Sequence, residues 1–235
     1  MAAVEDEMWF YRALHAHIER QLKKGLGGNA AAILDAGCGT GGLIRRLSRA
    51  HPTWRWTGLD LEPLACELAR IRGGVEIIQG STTALPFPNA SFDAVVSSDV
   101  LYHLDDDESA LREIFRVLKP GGLVVINVPA HRWLWSYHDV TVHGRRRYER
   151  GLLAGKLRSA GFSAFHATHW NMLPLPLILA RRKLLPPPRN GSDVRLYPRT
   201  IERAFGVAMA LERAWLNTGA ILPLGSSILA TARKE

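Results

Sequence analysis

The stretch Ala31-Ala32-Ile33-Leu34-Asp35-Ala36-Gly37-Cys38-Gly39-Thr40-Gly41-Gly42 decides the fold of this chain. Its first half is a short apolar run of the kind that forms a buried strand, and its second half is a glycine-rich turn leading into a helical pattern at 42–50. Glycines at such a turn allow a ligand to approach the backbone amides closely. Gly37, Gly39 and Gly42 also satisfy the dinucleotide fingerprint, so the stretch alone leaves a nicotinamide cofactor open.

Strand and helix patterns alternate outward from this stretch. Further strands are predicted at 54–59, 75–78, 92–97, 123–128, 162–170 and 227–232. Helices are predicted at 8–24, across Leu64, Leu68 and Ile71, at 108–118, at 149–160 and at 200–216. In the last of these, five side chains are spaced for one face: Ile201, Phe205, Ala208, Leu211 and Trp215. The alternation predicts an α/β fold, a Rossmann-like seven-stranded mostly parallel sheet with helices on both faces and a C-terminal cap inserted before the last strand.

Composition narrows the class of protein. The 235 residues are 47% hydrophobic, which suffices for a sizeable core and excludes a disordered or collagen-like chain. Cys38 and Cys66 are the only cysteines, so a disulfide scaffold is excluded and a reducing compartment is favoured. The acidic start has no signal or transit pattern, and the apolar run 173–180 is too short to span a membrane. We therefore expect a cytoplasmic protein.

The positive charge is unevenly distributed along the chain. The formal net charge is +8, but residues 1–130 carry 13 Lys and Arg against 16 Asp and Glu, a net charge of −3. Residues 131–235 carry 17 against 6, a net charge of +11. The two halves of the chain are therefore expected to have different functions.

Acidic residues mark the ends of the first two strands. Asp35 stands two residues before Gly37, where it can order the glycine loop and lie near a cationic ligand. Asp60 ends the second strand, where a carboxylate can accept hydrogen bonds from ribose hydroxyl groups. A third feature is the segment 85–95, Leu-Pro-Phe-Pro-Asn-Ala-Ser-Phe-Asp-Ala-Val, which is followed at 99–104 by Asp-Val-Leu-Tyr-His-Leu.

Together these segments closely resemble the class I S-adenosylmethionine-dependent methyltransferases, in particular the type 11-like subgroup with small-molecule and lipid acceptors. The resemblance covers residues 30–130 and, more loosely, the helix at 149–160 and the two final strands. It implies S-adenosyl-L-methionine as the cofactor. It also implies methyl transfer by in-line displacement to an oxygen or nitrogen nucleophile, with carbon as a further option, on a small-molecule or lipid-like acceptor.

The resemblance assigns roles around the cofactor. The glycines would lie beside its amino-acid tail, Asp60 would hold the ribose, and Leu61 would pack on the adenine. Ser81 stands where many relatives have an aspartate, and the Ser98 carbonyl should lie near the methionine ammonium group. The cofactor-binding candidates are Asp35, Gly37, Gly39, Gly41, Asp60, Leu61, Ser81, Thr82, Ser98, His103 and, on the leading helix, Trp9 and Tyr11. Helix packing is the alternative role of Gly41 and Gly42, and core packing that of Leu61, Trp9 and Cys38.

The irregular stretch after the fifth strand should face the acceptor, because ligands of open α/β sheets lie beyond the carboxyl ends of the strands. Its His138 and His143 can abstract a proton near neutral pH, and Tyr102, where many relatives have glutamate, is the third catalytic candidate. The acceptor-binding candidates are Trp135, Asp139, Arg146 and Arg147. The alternatives are a loop tied to the sheet by these polar groups and a solvated run of arginines. No metal site is expected.

We expect a single domain over residues 1–235. Its parts are an N-terminal helix or lid at 1–29, a cofactor-binding core at 30–130, an acceptor loop at 131–148 and a cap insertion at 171–224. The segment 170–188 mixes leucine and proline with a basic cluster, which suits a pocket for an apolar acceptor or peripheral contact with an anionic membrane. A membrane-surface module that retains the fold and an RNA methyltransferase are the alternatives. Nucleic acid is disfavoured because no recognisable RNA-binding appendage is present, and the oligomeric state is left open.

Overall fold

The computed structural model describes residues 2–187 and 193–235. Within these ranges the strands are β1 Ala31–Ala36, β2 Trp54–Asp60, β3 Glu76–Gln79, β4 Phe92–Ser98, β5 Leu118–Pro129, β6 Phe162–Trp170 and β7 Ser227–Lys234. The helices are α1 Ala2–Glu7, α2 Trp9–Leu26, α3 Gly42–Ala50, α4 Pro63–Gly73, α5 Asp107–Val117, α6 Tyr137–Thr141, α7 Arg150–Ser159, α8 Leu175–Leu179 and α9 Arg199–Asn217. A π-helical turn, Ala180–Leu184, continues α8.

The strands form one sheet in the order β3-β2-β1-β4-β5-β7-β6. The first five are parallel, whereas β7 runs antiparallel to both β5 and β6. The predicted seven-stranded, mostly parallel sheet is therefore confirmed. The strand order changes direction between β1 and β4, and ligands of such sheets bind beyond the carboxyl ends of the strands at this switch point.

The core lies on both faces of the sheet because successive strand residues point to opposite sides. Ile33 packs on one face with apolar residues of α2, α3 and α4, and Leu34 packs on the other face with α5 and α7. Both side chains are fully buried. Helices on both faces explain why the central strands β1 and β4 are buried along most of their length rather than at alternate residues.

The fifth strand differs from its prediction at its start. The helix before it ends at Val117, and β5 begins at Leu118, which pairs with Phe92 at the start of β4. Pro120, Gly121 and Gly122 therefore lie inside an irregular first part of the strand, which begins five residues before its predicted start at 123. Backbone pairing with β4 takes over here, because Ser91 N donates to Val117 O at 2.7 Å.

The predicted face of α9 is confirmed only in part, at Phe205, which packs against the core and stacks on Trp9. Ile201, Leu211 and Trp215 are exposed, whereas the buried side chains of the helix are Met209, Glu212 and Leu216. The carboxylate of Glu212 turns inward because it accepts hydrogen bonds from the backbone N–H groups that follow β6, those of residues 171–173. Hydrophobic periodicity cannot predict a buried acidic residue that accepts hydrogen bonds from the backbone.

The segment between β6 and β7 holds α8, the π-helical turn and α9, in the place expected for the cap at 171–224. Residues 188–192 of that prediction, which include the end of the proline run, lie outside the described residues. In the two described ranges, no helix is both long and apolar enough to cross a membrane.

Candidate cofactor and acceptor site

A large cavity opens at the carboxyl ends of the parallel strands. Its volume is about 1130 Å³, and it extends from the glycine loop after β1 to the cap formed by α8, the π-helical turn and α9. Sites for one small ligand usually occupy ~300–1,000 Å³. The cavity therefore has room for a cofactor and a second molecule together.

The glycine loop is held open by backbone conformations that favour glycine. Gly37 has φ +96°, and a Cβ built on it would lie 2.1 Å from a methyl carbon of Val100. Gly39 has φ +53°, and its N–H donates to Asp60 Oδ2 at 2.8 Å. Asp60 Oδ1 accepts from Glu62 N at 3.0 Å, so the carboxylate is fixed where the loop meets β2. Gly37, Gly39 and Asp60 all line the cavity.

Gly41 has a different setting. It has φ +78° at the start of α3, and a Cβ there would lie 3.1 Å from Ala69 Cα on α4. Its position allows α3 and α4 to pack closely, and it is not among the cavity-lining residues.

Glu5 of α1 lies across the beginning of α3. Its carboxylate accepts hydrogen bonds from Gly42 N at 3.2 Å and from the Thr40 hydroxyl group. Arg72 lies 3.2 Å from the same carboxylate. An acid at a helix N-terminus is stabilised by the helix dipole and by the unpaired N–H groups there. The N-terminal segment is thus fastened over the glycine loop.

Asp35 lies at the cavity with its carboxyl group almost fully buried. Its Oδ1 has no hydrogen-bond partner among the described residues. Burial, with the nearby carboxylates of Glu5 and Asp60, raises its pKa to about 8. A buried acid without a protein partner is a fitting neighbour for a cationic ligand.

The other end of the cofactor region has an exposed apolar contact. Leu61 is 69% exposed and lines the cavity, so its side chain is not part of the core. Ser81 and Thr82 line the cavity after β3. The Ser81 hydroxyl group lies 2.8 Å from Thr83 Oγ1, which leaves this corner polar but without an acid.

Ser98, Tyr102 and His103 line the cavity after β4. Burial and the charge of Asp99 raise the pKa of Tyr102, which keeps its hydroxyl group protonated. The His103 ring lies 3.9 Å from the Tyr102 ring, measured between centroids, and burial lowers the pKa of His103. Both groups are therefore neutral at pH 7.

The leading helix α2 contributes Trp9 and Tyr11 to the cavity wall. Trp9 stacks on Phe205 of α9 with ring centroids 4.8 Å apart, and its backbone N–H donates to Glu202 at 2.8 Å. Burial raises the pKa of Tyr11. The helix thus forms a fixed aromatic wall that also anchors the cap.

Four residues of the predicted acceptor loop line the cavity: His138, Asp139, Val142 and Arg147. Asp139 and Arg147 are both buried and form an ion pair at 2.7 Å. Arg147 also donates to Ala130 O at 2.9 Å. Arg147 thus connects the loop to the end of β5. Removal of either partner would leave a buried charge without a counter-ion, which is strongly destabilising.

His138 has a neutral ring in this setting. Its Nδ1 is buried without a hydrogen-bond partner among the described residues. Burial and the charge of Arg182 lower its pKa to about 4.

The other loop candidates lie away from the cavity. His143 is exposed and has φ +56°. Arg146 donates to Leu104 O at 2.9 Å and pairs with Asp107 at 3.1 Å. Trp135 does not line the cavity, and its carbonyl accepts from Lys183 at 2.7 Å.

Asp99 is a cavity-lining acid that was not among the sequence-predicted site residues. It follows β4 directly, and its φ of +54° places it in the left-handed region. Its Oδ1 accepts from Asn127 Nδ2 at 2.9 Å, and burial raises its pKa to about 7. The available signal was its position, two residues beyond a predicted strand at the edge where ligands bind.

Comparison with known proteins finds similarity over part of the chain. Residues 34–126 match a family model described as a methyltransferase domain. The demethylmenaquinone methyltransferase of Lactococcus lactis subsp. lactis is 39% identical over 113 residues, 45% of this chain and 45% of that protein. The malonyl-[acyl-carrier protein] O-methyltransferase of Erwinia pyrifoliae is 40% identical over 119 residues, 48% of this chain and 45% of that protein. The chain therefore spans about half the length of these curated relatives.

A solved structure extends the likeness to nearly the whole fold. The S-adenosylmethionine-dependent methyltransferase from Mesorhizobium loti superposes with a TM-score of 0.58 at 19% sequence identity. The match covers 88% of this chain and 92% of that one. The fold thus agrees well beyond the segment in which the sequences agree.

Proposed function

We propose that the chain is a class I methyltransferase, on the match of residues 34–126 to a methyltransferase domain, and that it transfers a methyl group from S-adenosyl-L-methionine to a small-molecule or lipid-like acceptor. The nucleophile would be an oxygen or nitrogen atom, or a carbon atom. The observation that carries the proposal is the set of acidic residues that line the cavity beside the glycine loop, Asp35, Asp60 and Asp99. The cofactor supplies a methyl group on a positively charged sulfonium.

The residues at this end fit such a group. Asp60 is held by Gly39 N and Glu62 N with its carboxylate at the cavity, where ribose hydroxyl groups can donate to it. Leu61 offers an exposed apolar surface for the adenine ring. The unpartnered Asp35 Oδ1 suits the ammonium group of the amino-acid end, and the open space at Gly39, where a Cβ would meet nothing within 4 Å, lets a ligand approach the backbone.

Alignment supplies most of the rate in this proposal. Oriented reactants can gain up to ~7–11 kcal/mol in favourable model reactions, and a sulfonium is already a good leaving group. The rigid wall of α2 and the loop held by Asp139 and Arg147 fix the cavity between donor and acceptor.

Asp99 is the best-placed base where the acceptor must lose a proton. Its carboxylate faces the cavity, and its pKa of about 7 matches general-base work at neutral pH. His138 is neutral and can accept a proton only weakly, because its pKa is lowered to about 4. Tyr102 and His143 stay predictions, Tyr102 as a neutral hydrogen-bonding group at the cavity.

The binding test uses calorimetric titration with S-adenosylmethionine and with S-adenosylhomocysteine. We expect both to bind and Asp60→Ala to raise each Kd at least tenfold, about 1.4 kcal/mol. The matched control is Asp105→Ala, since Asp105 is an exposed aspartate outside the cavity. Thermal melts of all variants separate lost binding from lost folding. A parent protein that binds neither nucleotide overturns the proposal.

We also propose that the cap touches an anionic membrane surface peripherally, while the cytoplasmic location stays a prediction. Leu184 and Leu185 are 79% and 56% exposed beside the basic residues 181–183. Apolar side chains next to cations suit the interface of an anionic bilayer.

Vesicle flotation tests this contact. We expect the protein to float with phosphatidylglycerol-containing vesicles at low salt and to be released at high salt. A Leu184→Ser/Leu185→Ser variant should lose flotation, whereas Ile71→Ser should keep it, because Ile71 is an exposed apolar residue on α4 outside the cavity. Equal flotation of the two variants would refute the contact.

A further inference from the structure

The two ends of the cavity carry opposite charge. The glycine-loop end is lined by five acids and the cap end by three arginines with one acid. The acids of the first end are Glu5, Asp35, Asp60, Glu62 and Asp99, and the charged groups of the second are Arg181, Arg182, Arg195 and Asp193. These acids come from the first half of the sequence and these arginines from the second half, in line with the uneven charge of the two halves.

The cap end keeps an excess of positive charge after its internal pairing. Arg182 Nε lies 2.9 Å from Asp193 Oδ2, and the Tyr137 hydroxyl group donates to Asp193 Oδ1 at 2.8 Å. This pairing commits the one acid to Arg182. Arg181 donates to Pro186 O at 2.7 Å and lies 3.9 Å from Asp193. Two guanidinium charges are therefore not balanced at this end by a cavity-lining acid.

Arg195 is the most available of the three arginines. Its guanidinium lies over the Tyr197 ring, 5.1 Å from the ring centroid. It makes no ion pair with any residue in the described part of the chain. Stacking on an aromatic ring orients the planar guanidinium while its N–H groups stay able to bind an anion.

Apolar side chains line the wall between the two charged ends. The cavity is lined by Trp9 and Phe10 of α2, by Ile201 and Phe205 of α9, and by Leu177 and Ile178 of α8. Stacking between Trp9 and Phe205 fixes one side of it. A ligand lying along this wall would bury hydrocarbon between the acidic end and the basic end.

We infer that the acceptor is an anionic amphiphile whose apolar part lies along the Trp9–Phe205 wall and whose carboxylate or phosphate group is bound by Arg181 and Arg195. Arginine binds both anions in a bidentate manner, so the two head groups share this chemistry. The inference rests on the proposed function, because the apolar part would lead to the acidic end where the cationic methyl donor is expected. The reacting nucleophile would lie at that end, remote from the anionic group.

Head-group selectivity provides the test. We would titrate the protein with four probes of one chain length, below their micelle concentrations: dodecanoate, dodecyl phosphate, dodecanol and dodecyltrimethylammonium. At least one anionic probe should bind tenfold or more tightly than dodecanol, and the cationic probe should bind most weakly. High salt should narrow these differences, because exposed charges are screened. The stronger of the two anions identifies the head group.

Charge variants decide whether the cap arginines cause the selectivity. The Arg195→Gln and Arg181→Gln substitutions should each weaken binding of the preferred anion three- to tenfold without changing dodecanol binding. Arg203→Gln is the matched control, because Arg203 is an exposed arginine of α9 outside the cavity. Asp193→Asn should act in the opposite direction and tighten anion binding, since its amide oxygen can still accept from Tyr137. Damage to the fold would instead weaken the binding of all four probes alike.

The outcomes separate this inference from the proposed function. Equal binding of dodecanoate, dodecyl phosphate and dodecanol, or an Asp193→Asn variant that weakens the anion, overturns the inference even where S-adenosylmethionine binds. Anion binding that depends on Arg195 in a protein that binds neither nucleotide supports the anion subsite and overturns the methyltransferase proposal.

Discussion

Asn127 Nδ2 donates a hydrogen bond of 2.9 Å to Asp99 Oδ1, and Asn127 Oδ1 accepts one of 2.8 Å from Trp170 Nε1. The indole N–H fixes the orientation of the Asn127 amide, which in turn presents its N–H group to the carboxylate. Trp170 is fully buried and stacks on Phe10 with ring centroids 5.0 Å apart. One oxygen of Asp99 is thus held by the sheet, and its other oxygen accepts no hydrogen bond from the described residues.

The Asp99→Asn substitution should abolish the pH dependence of kcat. The folded-state pKa of Asp99 is about 7 against an ordinary value of 3.8, so only above pH 7 is the carboxylate fully able to accept a proton. We expect the parent kcat to rise with pH towards a plateau above 7, and the variant to lose about 100-fold with a flat profile. Asp105→Asn is the control. A variant with the parent's profile would show that Asp99 is not the base, and carbon-13 NMR of labelled aspartate tests its pKa independently.

The Asn127→Leu substitution should lower the free energy of unfolding and raise the pKa of Asp99. The substitution leaves the buried Trp170 N–H without its acceptor, a loss of about 1–3 kcal/mol in the free energy of unfolding. It also removes the hydrogen bond that favours the charged form of Asp99, so the pKa of Asp99 should rise further. Urea unfolding and the same NMR titration measure both effects. An unchanged Asp99 titration would mean that this hydrogen bond does not control it.

Asp35→Asn should stabilise the protein at high pH while weakening donor binding. The pKa of Asp35 is raised to about 8, so the folded state resists ionisation, and stability is lost as pH rises from about 4 through 8. The variant should unfold with a free energy higher by a few kcal/mol at pH 8, since one pKa unit is worth about 1.4 kcal/mol, and little changed at pH 4. Urea unfolding at both pH values checks this. An equal effect at pH 4 and pH 8 would contradict it.

His17→Phe should protect the protein against acid. Both ring nitrogens of His17 are buried without a hydrogen-bond partner among the described residues, and burial lowers the pKa to about 4. The unfolded state therefore binds a proton below pH 6.5 that the folded state binds only near pH 4, so stability falls across that window. We expect a gain of about 1–2 kcal/mol at pH 5, measured by urea unfolding. A gain that does not shrink when the unfolding is repeated at pH 8 would argue against this titration.

Glu212→Gln should loosen the attachment of the cap. The buried carboxylate accepts from Met172 N at 2.8 Å and Leu173 N at 3.1 Å on Oε2, and from Asn171 N on Oε1. Glutamine has only one acceptor oxygen, so it cannot accept on both sides. We expect faster amide hydrogen exchange at 171–173 and a loss of about 1–3 kcal/mol in stability. Glu67→Gln, at an exposed acid of α4, is the control. Unchanged exchange at 171–173 would mean that other contacts hold this segment.

The helical face of α9 illustrates the limit of periodicity. Ile201, Leu211 and Trp215 have the spacing of a core stripe, yet the inner face carries Glu212, because unpaired backbone N–H groups after β6 need an acceptor. The run of arginines at 145–147 shows the same limit, because neighbouring residues of one type have different surroundings. Arg147 is buried against Asp139, whereas Arg146 binds loop carbonyls outside the cavity. Adjacent residues of one type thus take unrelated roles.

The sequence by itself determined the sheet, the glycine loop and the acids Asp35 and Asp60 that accompany it. These follow from short-range rules, since apolar period, glycine and strand-end acids act within a few neighbouring residues. Only the tertiary structure decided that Asp99 faces the cavity with Asn127 behind it, and that the cap closes the cavity with unbalanced arginines. Those facts depend on strand register and on contacts between segments far apart in the chain, which no local pattern encodes.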